Sequence, residues 1–207
     1  RYSEYTKYWY LPNPELDPET SDTFEIGMKK KLSDKTNLGL TIYHVKTKDK
    51  VYADYVPGEE YKGKKVKKYM NFDSEERDGV ELEVKHDFSD KYSAYLNYAW
   101  QKGTIEDGGK DVDNYNIPRH LLHAGIEYNI DKLNALLDCQ YVSERMSPDE
   151  ASGEYGAEDA FFIVNLGVNY EIAKNTKLQL AVNNLFDRDF YCDEATAGRT
   201  YTVGMRY

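Results

Sequence analysis

The sequence of 207 residues lacks any long apolar run. No stretch approaches the roughly 18 consecutive apolar residues that mark a transmembrane helix, so a helical membrane protein is excluded. Membrane strands remain possible, because each needs only about 9–11 alternately apolar and polar residues. Such strands average to a hydrophilic score, and the mean hydropathy here is −0.80.

Phe, Trp, basic residues and cysteine are also scarce, and each scarcity narrows the possible classes of protein. The chain has 7 Phe and 2 Trp against 20 Tyr, and Tyr suits a membrane interface better than a dry core. Basic residues are outnumbered and the net charge is −10, which argues against binding to nucleic acid. The two cysteines, Cys139 and Cys192, fit no metal-ligand spacing. A disulfide is not expected from their strand and loop positions.

Alternation of apolar and polar residues predicts about nine strands. In the strand predicted over residues 78–88, for example, one face carries Val80, Leu82 and Val84 and the other carries Glu81 and Glu83. The predicted strands are residues 23–32, 36–45, 78–88, 92–101, 122–130, 133–141, 162–172, 178–183 and 200–207.

The predicted connections alternate in length, which favours an outer-membrane barrel with short periplasmic turns and long extracellular loops. Short turns fall at residues 33–35, 89–90, 131 and 173–175, and long loops at 48–70, 102–116, 144–160 and 186–198. Aromatic residues flank the short turns, as an interfacial girdle should: Phe88, Tyr92, Tyr128, Tyr170 and Tyr207. A β-sandwich does not predict that placement. The many charges on the polar face require a wide barrel with a filled lumen.

Five motifs in order resemble the TonB-dependent outer-membrane receptors of Gram-negative bacteria. They are residues 13–21 with Phe24–Gly27; Asn71 with 79–83; 118–120; 183–187 with Tyr191; and Gly198, Arg199, Tyr201, Gly204 and Tyr207. The resemblance implies an all-β, antiparallel transmembrane β-barrel of about 22 strands around a plugged lumen. We expect residues 1–207 to be the C-terminal part, about the last nine strands, with the plug domain and TonB box absent from this chain.

By the same resemblance, the protein captures a scarce nutrient at the cell surface, most simply a ferric siderophore, and imports it with TonB-coupled energy. Haem or cobalamin import within the family is the alternative, and a porin or a barrel enzyme a more distant one. The implied partners are the TonB complex through the N-terminal half, outer-membrane lipid and lipopolysaccharide, and the barrel-assembly machinery. That machinery would read Tyr201, Val203, Met205 and Tyr207. No cofactor is implied.

Candidate ligand contacts lie in the predicted extracellular loops. Lys64 and Lys65 belong to a basic run in an otherwise acidic chain. This run could attract an anionic ferric chelate or lipopolysaccharide phosphates, or simply be a solvated loop. The other candidates are Arg145, Tyr155, Tyr191 and Arg199. No nucleophile motif points to catalysis. His120 and His123 are three apart and fall on opposite faces of a strand, so a shared metal site is not predicted.

Overall fold

A computed structural model describes residues 9–107, 110–148, 155–192, 194–195 and 198–207. Every regular element within these ranges is a β-strand. Among the described residues, no helix is long and apolar enough to cross a bilayer.

The nine predicted strands are all present, joined by shorter ones. The elements are β1 (Trp9–Leu11), β2 (Thr20–Ser33), β3 (Thr36–Tyr61), β4 (Lys64–Asp87), β5 (Tyr92–Asp107), β6 (Lys110–Asp113), β7 (His120–Ile130), β8 (Leu133–Val142), β9 (Arg145–Pro148), β10 (Tyr155–Glu158), β11 (Phe161–Ala173), β12 (Thr176–Asn183), β13 (Tyr191–Cys192), β14 (Glu194–Ala195) and β15 (Thr200–Arg206). The four predicted short turns are confirmed between β2 and β3, β4 and β5, β7 and β8, and β11 and β12.

The long strands form one meander in the order β15-β12-β11-β8-β7-β5-β4-β3-β2. Long strands that follow one another in sequence are therefore neighbours in the sheet. The sheet is open, with β2 and β15 at its edges. β6 pairs with β5, and β1 runs parallel to β4. Two short hairpins, β9–β10 and β13–β14, stand apart from it.

The chain divides into two compact units. The hairpin unit comprises the described residues of Arg1–Phe24, His44–Asp78 and Gly103–Asn114. The wall unit comprises Glu25–Tyr43, Gly79–Lys102 and the described residues of Tyr115–Tyr207. The regular elements described in both units are all β-strands.

The predicted long loops are wrong in part, because each contains strand: the end of β5 and β6 lie in residues 102–116, β9 and β10 in 144–160, and β13 and β14 in 186–198. The largest difference is in residues 48–70, most of which is strand. β3 and β4 continue for 26 and 24 residues, far beyond the 9–11 or so that cross a membrane. They meet at Lys62 and Gly63, whose φ angles of 52° and 72° are those of a two-residue type I′ turn. Lys64 and Lys65, predicted in a loop, therefore lie on β4. The part of β3 and β4 within residues 48–70, called the extension below, has polar residues on both faces. The alternation of apolar and polar residues therefore could not reveal it.

The apolar face of the wall unit is exposed rather than packed into a core. Ile26, Ile126, Leu137 and Leu180 are all exposed. Among the described residues of the whole chain, the only buried apolar side chains are Val66 and Val164, at 3% and 8% exposure. A soluble sheet of this size would bury one face. The exposed face is therefore suited to lipid.

Candidate functional site

The polar face of the wall unit carries a row of hydrogen-bonded side chains that crosses four strands, β12, β11, β8 and β7. Gln179 Nε2 donates to Asn169 Oδ1 at 3.1 Å, and Asn169 Nδ2 donates to Asn134 Oδ1 at 3.1 Å. Asn134 Nδ2 in turn donates to Glu127 Oε1 at 2.8 Å. Because side chains on one face repeat every second residue, the sequence predicted that these residues share a face, and the structure confirms it.

The second cluster on this face is centred on Asp138. Tyr95 Oη donates to Asp138 Oδ2 at 2.6 Å, and Asn165 Nδ2 donates to Asp138 Oδ1 at 3.2 Å. His123 Nε2 also contacts Asp138 Oδ2. A carboxylate with three partners is satisfied without metal or bulk water. The cluster thus makes a polar wall that can face a wet or protein-filled lumen.

Tyrosine rings on the polar face lie over glycines on neighbouring strands. A Cβ built on Gly125 would lie 2.6 Å from the Tyr95 ring, and one on Gly79 would lie 2.2 Å from the Tyr43 ring. Tyr43 Oη then reaches Gln101 Oε1 at 3.3 Å. Only glycine leaves room for these rings, which explains Gly79 in the second motif.

The end of the wall unit opposite the short turns carries a cleft of about 510 Å³ that includes Arg145. Arg145 Nε donates to Glu158 Oε2 at 2.7 Å, across the register pair that joins β9 and β10. Tyr115, Arg119 and Glu144 also line the cleft. Arg145 therefore contributes to a charged mouth while being held in place by a carboxylate.

The fourth motif forms the tight turn after β12. Asn184 is 4% exposed with a φ angle of 53°. Its Nδ2 donates to Arg188 O at 2.8 Å, and its Oδ1 accepts from Arg188 N at 2.9 Å. Arg199 donates from its backbone N to Asp187 Oδ1 at 2.6 Å and from Nη1 to Leu185 O at 3.1 Å. Arg199, predicted as a ligand contact, thus also ties the turn to the start of β15.

In the hairpin unit, the first motif is clamped by two asparagines. Asn13 Nδ2 donates to Tyr69 O at 2.8 Å. Asn71 Oδ1 accepts from Asp17 N at 3.0 Å, while its Nδ2 donates to Asp17 O at 2.9 Å and to Asp49 O at 2.6 Å. These bonds link segments distant in sequence, and those from Asn71 satisfy the backbone N–H and C=O of Asp17, which lies outside any strand.

Ion pairs hold the same unit together further along β3 and β4. Glu75 is buried at its side chain and contacts Lys50 and Arg77, the latter at 3.3 Å. Lys46 Nζ lies 2.6 Å from Glu76 Oε1. A buried carboxylate needs such partners. The extension is therefore a built structure rather than a solvated loop.

One face of the hairpin unit combines tyrosines and lysines; we call Tyr10, Tyr55, Lys65, Lys67 and Tyr69 the tyrosine–lysine face. The Tyr10 and Tyr69 rings stack at 5.2 Å with an interplanar angle of 12°. Lys65 Nζ and Lys67 Nζ lie 5.2 Å and 4.7 Å from the centre of the Tyr55 ring. Lys65 was predicted as a candidate, but the three tyrosines were missed. Nothing in the sequence pairs the Tyr10 strand β1 with β4, and Tyr55 fell in a predicted loop.

Two further candidate ligand contacts, Tyr155 and Tyr191, lie at the starts of short strands. Tyr155 and Tyr191 begin β10 and β13, and their side chains fall outside the described part of the chain, as does that of Cys192. Lys64 lies on β4 next to Lys65 and, by alternation, on the opposite face.

Cys139 is a free, half-buried thiol. Tyr201, Val203 and Met205 are exposed on edge strand β15, and Tyr207 follows it at 97% exposure.

Histidines are placed as the alternation predicts. His123 joins the Asp138 cluster, whereas His120 Nδ1 lies 2.7 Å from Tyr98 Oη on the apolar face. Tyr92 and Tyr128 pair across β5 and β7 with ring centres 4.7 Å apart, at the end where the periplasmic girdle was predicted. Within the described ranges, no group of three or more His, Cys, Asp or Glu side chains could hold a metal ion.

An exposed apolar face, a hydrogen-bonded polar face and a meander with short turns at one end define the wall of an integral outer-membrane β-barrel. The family described as TonB dependent receptor-like, beta-barrel matches residues 2–185. The chain therefore belongs to this family and is located in the outer membrane. The family is one of transport receptors rather than enzymes.

Individual relatives are similar over much of this chain. The iron-regulated outer membrane virulence protein of Vibrio cholerae is 25% identical over 93% of this chain and 31% of its own length. The catecholate siderophore receptor Fiu of Escherichia coli K12 is 24% identical over 66% of this chain and 19% of its own. The solved siderophore receptor PirA from Acinetobacter baumannii shares the fold, with a TM-score of 0.74 and 19% identity over 97% of this chain and 33% of its own. The chain spans about a third of the length of the first of these relatives.

Proposed function

We propose that the receptor containing this chain captures a ferric siderophore at the cell surface and imports it with energy coupled through TonB. The observation that carries the proposal is a barrel wall with a polar lumenal face in a chain of this receptor family. The printed names of the Vibrio cholerae and Escherichia coli relatives, which refer to iron regulation and a catecholate siderophore, support iron as the cargo.

In this function the chain, its candidate ligand contacts, its last strand and its apolar face have separate roles. Residues 1–207 supply a C-terminal part of the barrel, and a plug domain elsewhere in the protein contacts TonB. Lys64, Lys65, Arg145, Tyr155, Tyr191 and Arg199 contribute to ligand contact on the extracellular side. Tyr201, Val203, Met205 and Tyr207 present an edge strand to the barrel-assembly machinery, because unpaired backbone groups at an edge accept a further strand. The apolar face contacts lipid and lipopolysaccharide.

Deletion of the gene tests this function. We expect slower growth and lost radio-iron uptake under iron limitation when a ferric siderophore is the only iron source, with rescue by the full-length gene. Rescue should fail in a strain without TonB. Growth limited by cobalamin or fed with haem serves as the control for the alternative cargoes. Unchanged growth and uptake with every siderophore tested would contradict the proposal.

A further inference from the structure

The tyrosine–lysine face is assembled by the fold and is not a chance run of residues. Lys65, Lys67 and Tyr69 are alternate residues of β4 and so share one face. The parallel register of β1 places Tyr10 opposite Lys67. The bond from Asn13 to the Tyr69 carbonyl then fixes the segment that follows β1. The rings and ammonium groups are therefore held in place before any ligand arrives, which lowers the entropy lost on binding.

The local charge of this face opposes that of the chain. Five lysines occupy positions 62, 64, 65, 67 and 68, whereas the whole chain carries a net charge of −10. Charges in water act over roughly 8 Å at physiological ionic strength. Residues 54–69 hold these five lysines against the three carboxylates of Asp54, Glu59 and Glu60, a local net charge of +2, so a ligand at this face meets a net positive charge. The face attracts anions although the protein as a whole repels them.

The rings restrict which anion fits. Tyr69 is 45% exposed, and the stacked Tyr10–Tyr69 pair offers flat apolar surface beside the two ammonium groups. Phosphate groups would use the lysines alone, and a neutral ferric hydroxamate would use neither feature. Haem is anionic at only one edge and is much wider than a tyrosine ring. A ferric tris-catecholate is a trianion whose benzene rings lie at its surface, so it matches both the charge and the ring size.

We propose that the tyrosine–lysine face binds a ferric tris-catecholate as it reaches the receptor, with catechol rings against Tyr10 and Tyr69 and the negative charge beside Lys65 and Lys67. This inference rests on the proposed function and narrows its substrate to the catecholate class.

Two neighbouring lysines provide a matched pair of variants. Lys67→Gln removes one charge from the face, and Lys68→Gln removes the same charge from the opposite side of β4. Binding of the radio-iron complex of a synthetic tripodal catechol chelator is measured on the purified full-length receptor. We expect Lys67→Gln to raise the Kd about fivefold, as for loss of one exposed cation beside aromatic rings, and Lys68→Gln to change it less than about twofold.

A second pair of variants tests the rings. Tyr69→Phe keeps the ring and should retain the wild-type Kd, whereas Tyr69→Leu should raise it about threefold or more. Equal effects of Lys67→Gln and Lys68→Gln, or none from either, would overturn the inference. So would a receptor that binds a ferric trihydroxamate or haem but not the catecholate, and in both cases iron import as a function would survive. Failure of cells to take up iron from any of the three sources would instead refute the proposed function.

Discussion

Substitution of Gly125 by alanine probes how the polar face is packed. The added Cβ would lie 2.6 Å from two carbons of the Tyr95 ring, closer than real contacts allow, so the ring must move. Tyr95 would then lose its 2.6 Å bond to Asp138. Overpacking costs about 1–3 kcal/mol and leaving Asp138 short of a donor about 1–3 kcal/mol. We expect Gly125→Ala to lower the free energy of unfolding by about 2–6 kcal/mol, the sum of these two costs.

The assay is urea unfolding of the full-length receptor refolded into lipid vesicles. Gly167→Ala is the matched control, because Gly167 lies on the same face of β11 and a Cβ there meets nothing within 4 Å. It should be neutral or slightly stabilising. In a Tyr95→Ala background, Gly125→Ala should cost less than about 1 kcal/mol, as a double-mutant cycle between contacting residues requires. If Gly125→Ala were as harmless as the control, or equally costly without the Tyr95 ring, the reasoning would be refuted.

Three further predictions concern the two faces and the turns. Ile126→Arg should destabilise the barrel in lipid by about 2–4 kcal/mol, whereas Asn97→Arg, on the polar face, should cost less than about 1 kcal/mol; urea midpoints in vesicles compare them. Asn184→Ala removes both bonds to Arg188 and should cost about 1–3 kcal/mol, with a normal midpoint contradicting its role in the turn. Asn71→Ala should speed amide exchange in the hairpin unit about tenfold while leaving exchange in the wall unit unchanged; uniform protection would count against the clamp.

The nine strands could be predicted because lipid on one side and a polar lumen on the other impose a strict period of two. That contrast is absent from the sequence of the β3 and β4 extensions, where polar residues occur at both odd and even positions. Around Tyr55 and Lys65 the sequence alone therefore predicts a loop. The Lys62-Gly63 pair was the one local signal of these extensions, since both residues adopt the positive φ angles of a hairpin turn.

The contacts that build the candidate site could not be predicted, because they depend on register. Tyr95 and Asp138 are 43 positions apart, and Asn71 and Asp17 are 54 apart. The sequence showed that Tyr95 and Asp138 belong to polar faces, but which polar residues meet follows only from the pairing of β5, β7 and β8. The stack of Tyr10 on Tyr69 likewise needs the parallel pairing of β1 with β4.

The most direct test of the account is which face of the wall contacts lipid. Single cysteines are placed along residues 122–129 of β7 in the full-length receptor, with Cys139 and Cys192 replaced, and each is spin-labelled in vesicles. Electron paramagnetic resonance then measures how far each collider speeds the spin relaxation of each label. Lipid-soluble oxygen should have the larger effect on labels at Leu122, Ala124 and Ile126. A water-soluble nickel complex should have the larger effect on labels at His123 and Glu127. Accessibility that does not alternate, or alternates with the opposite phase, would contradict the assignment of the exposed apolar face to the membrane.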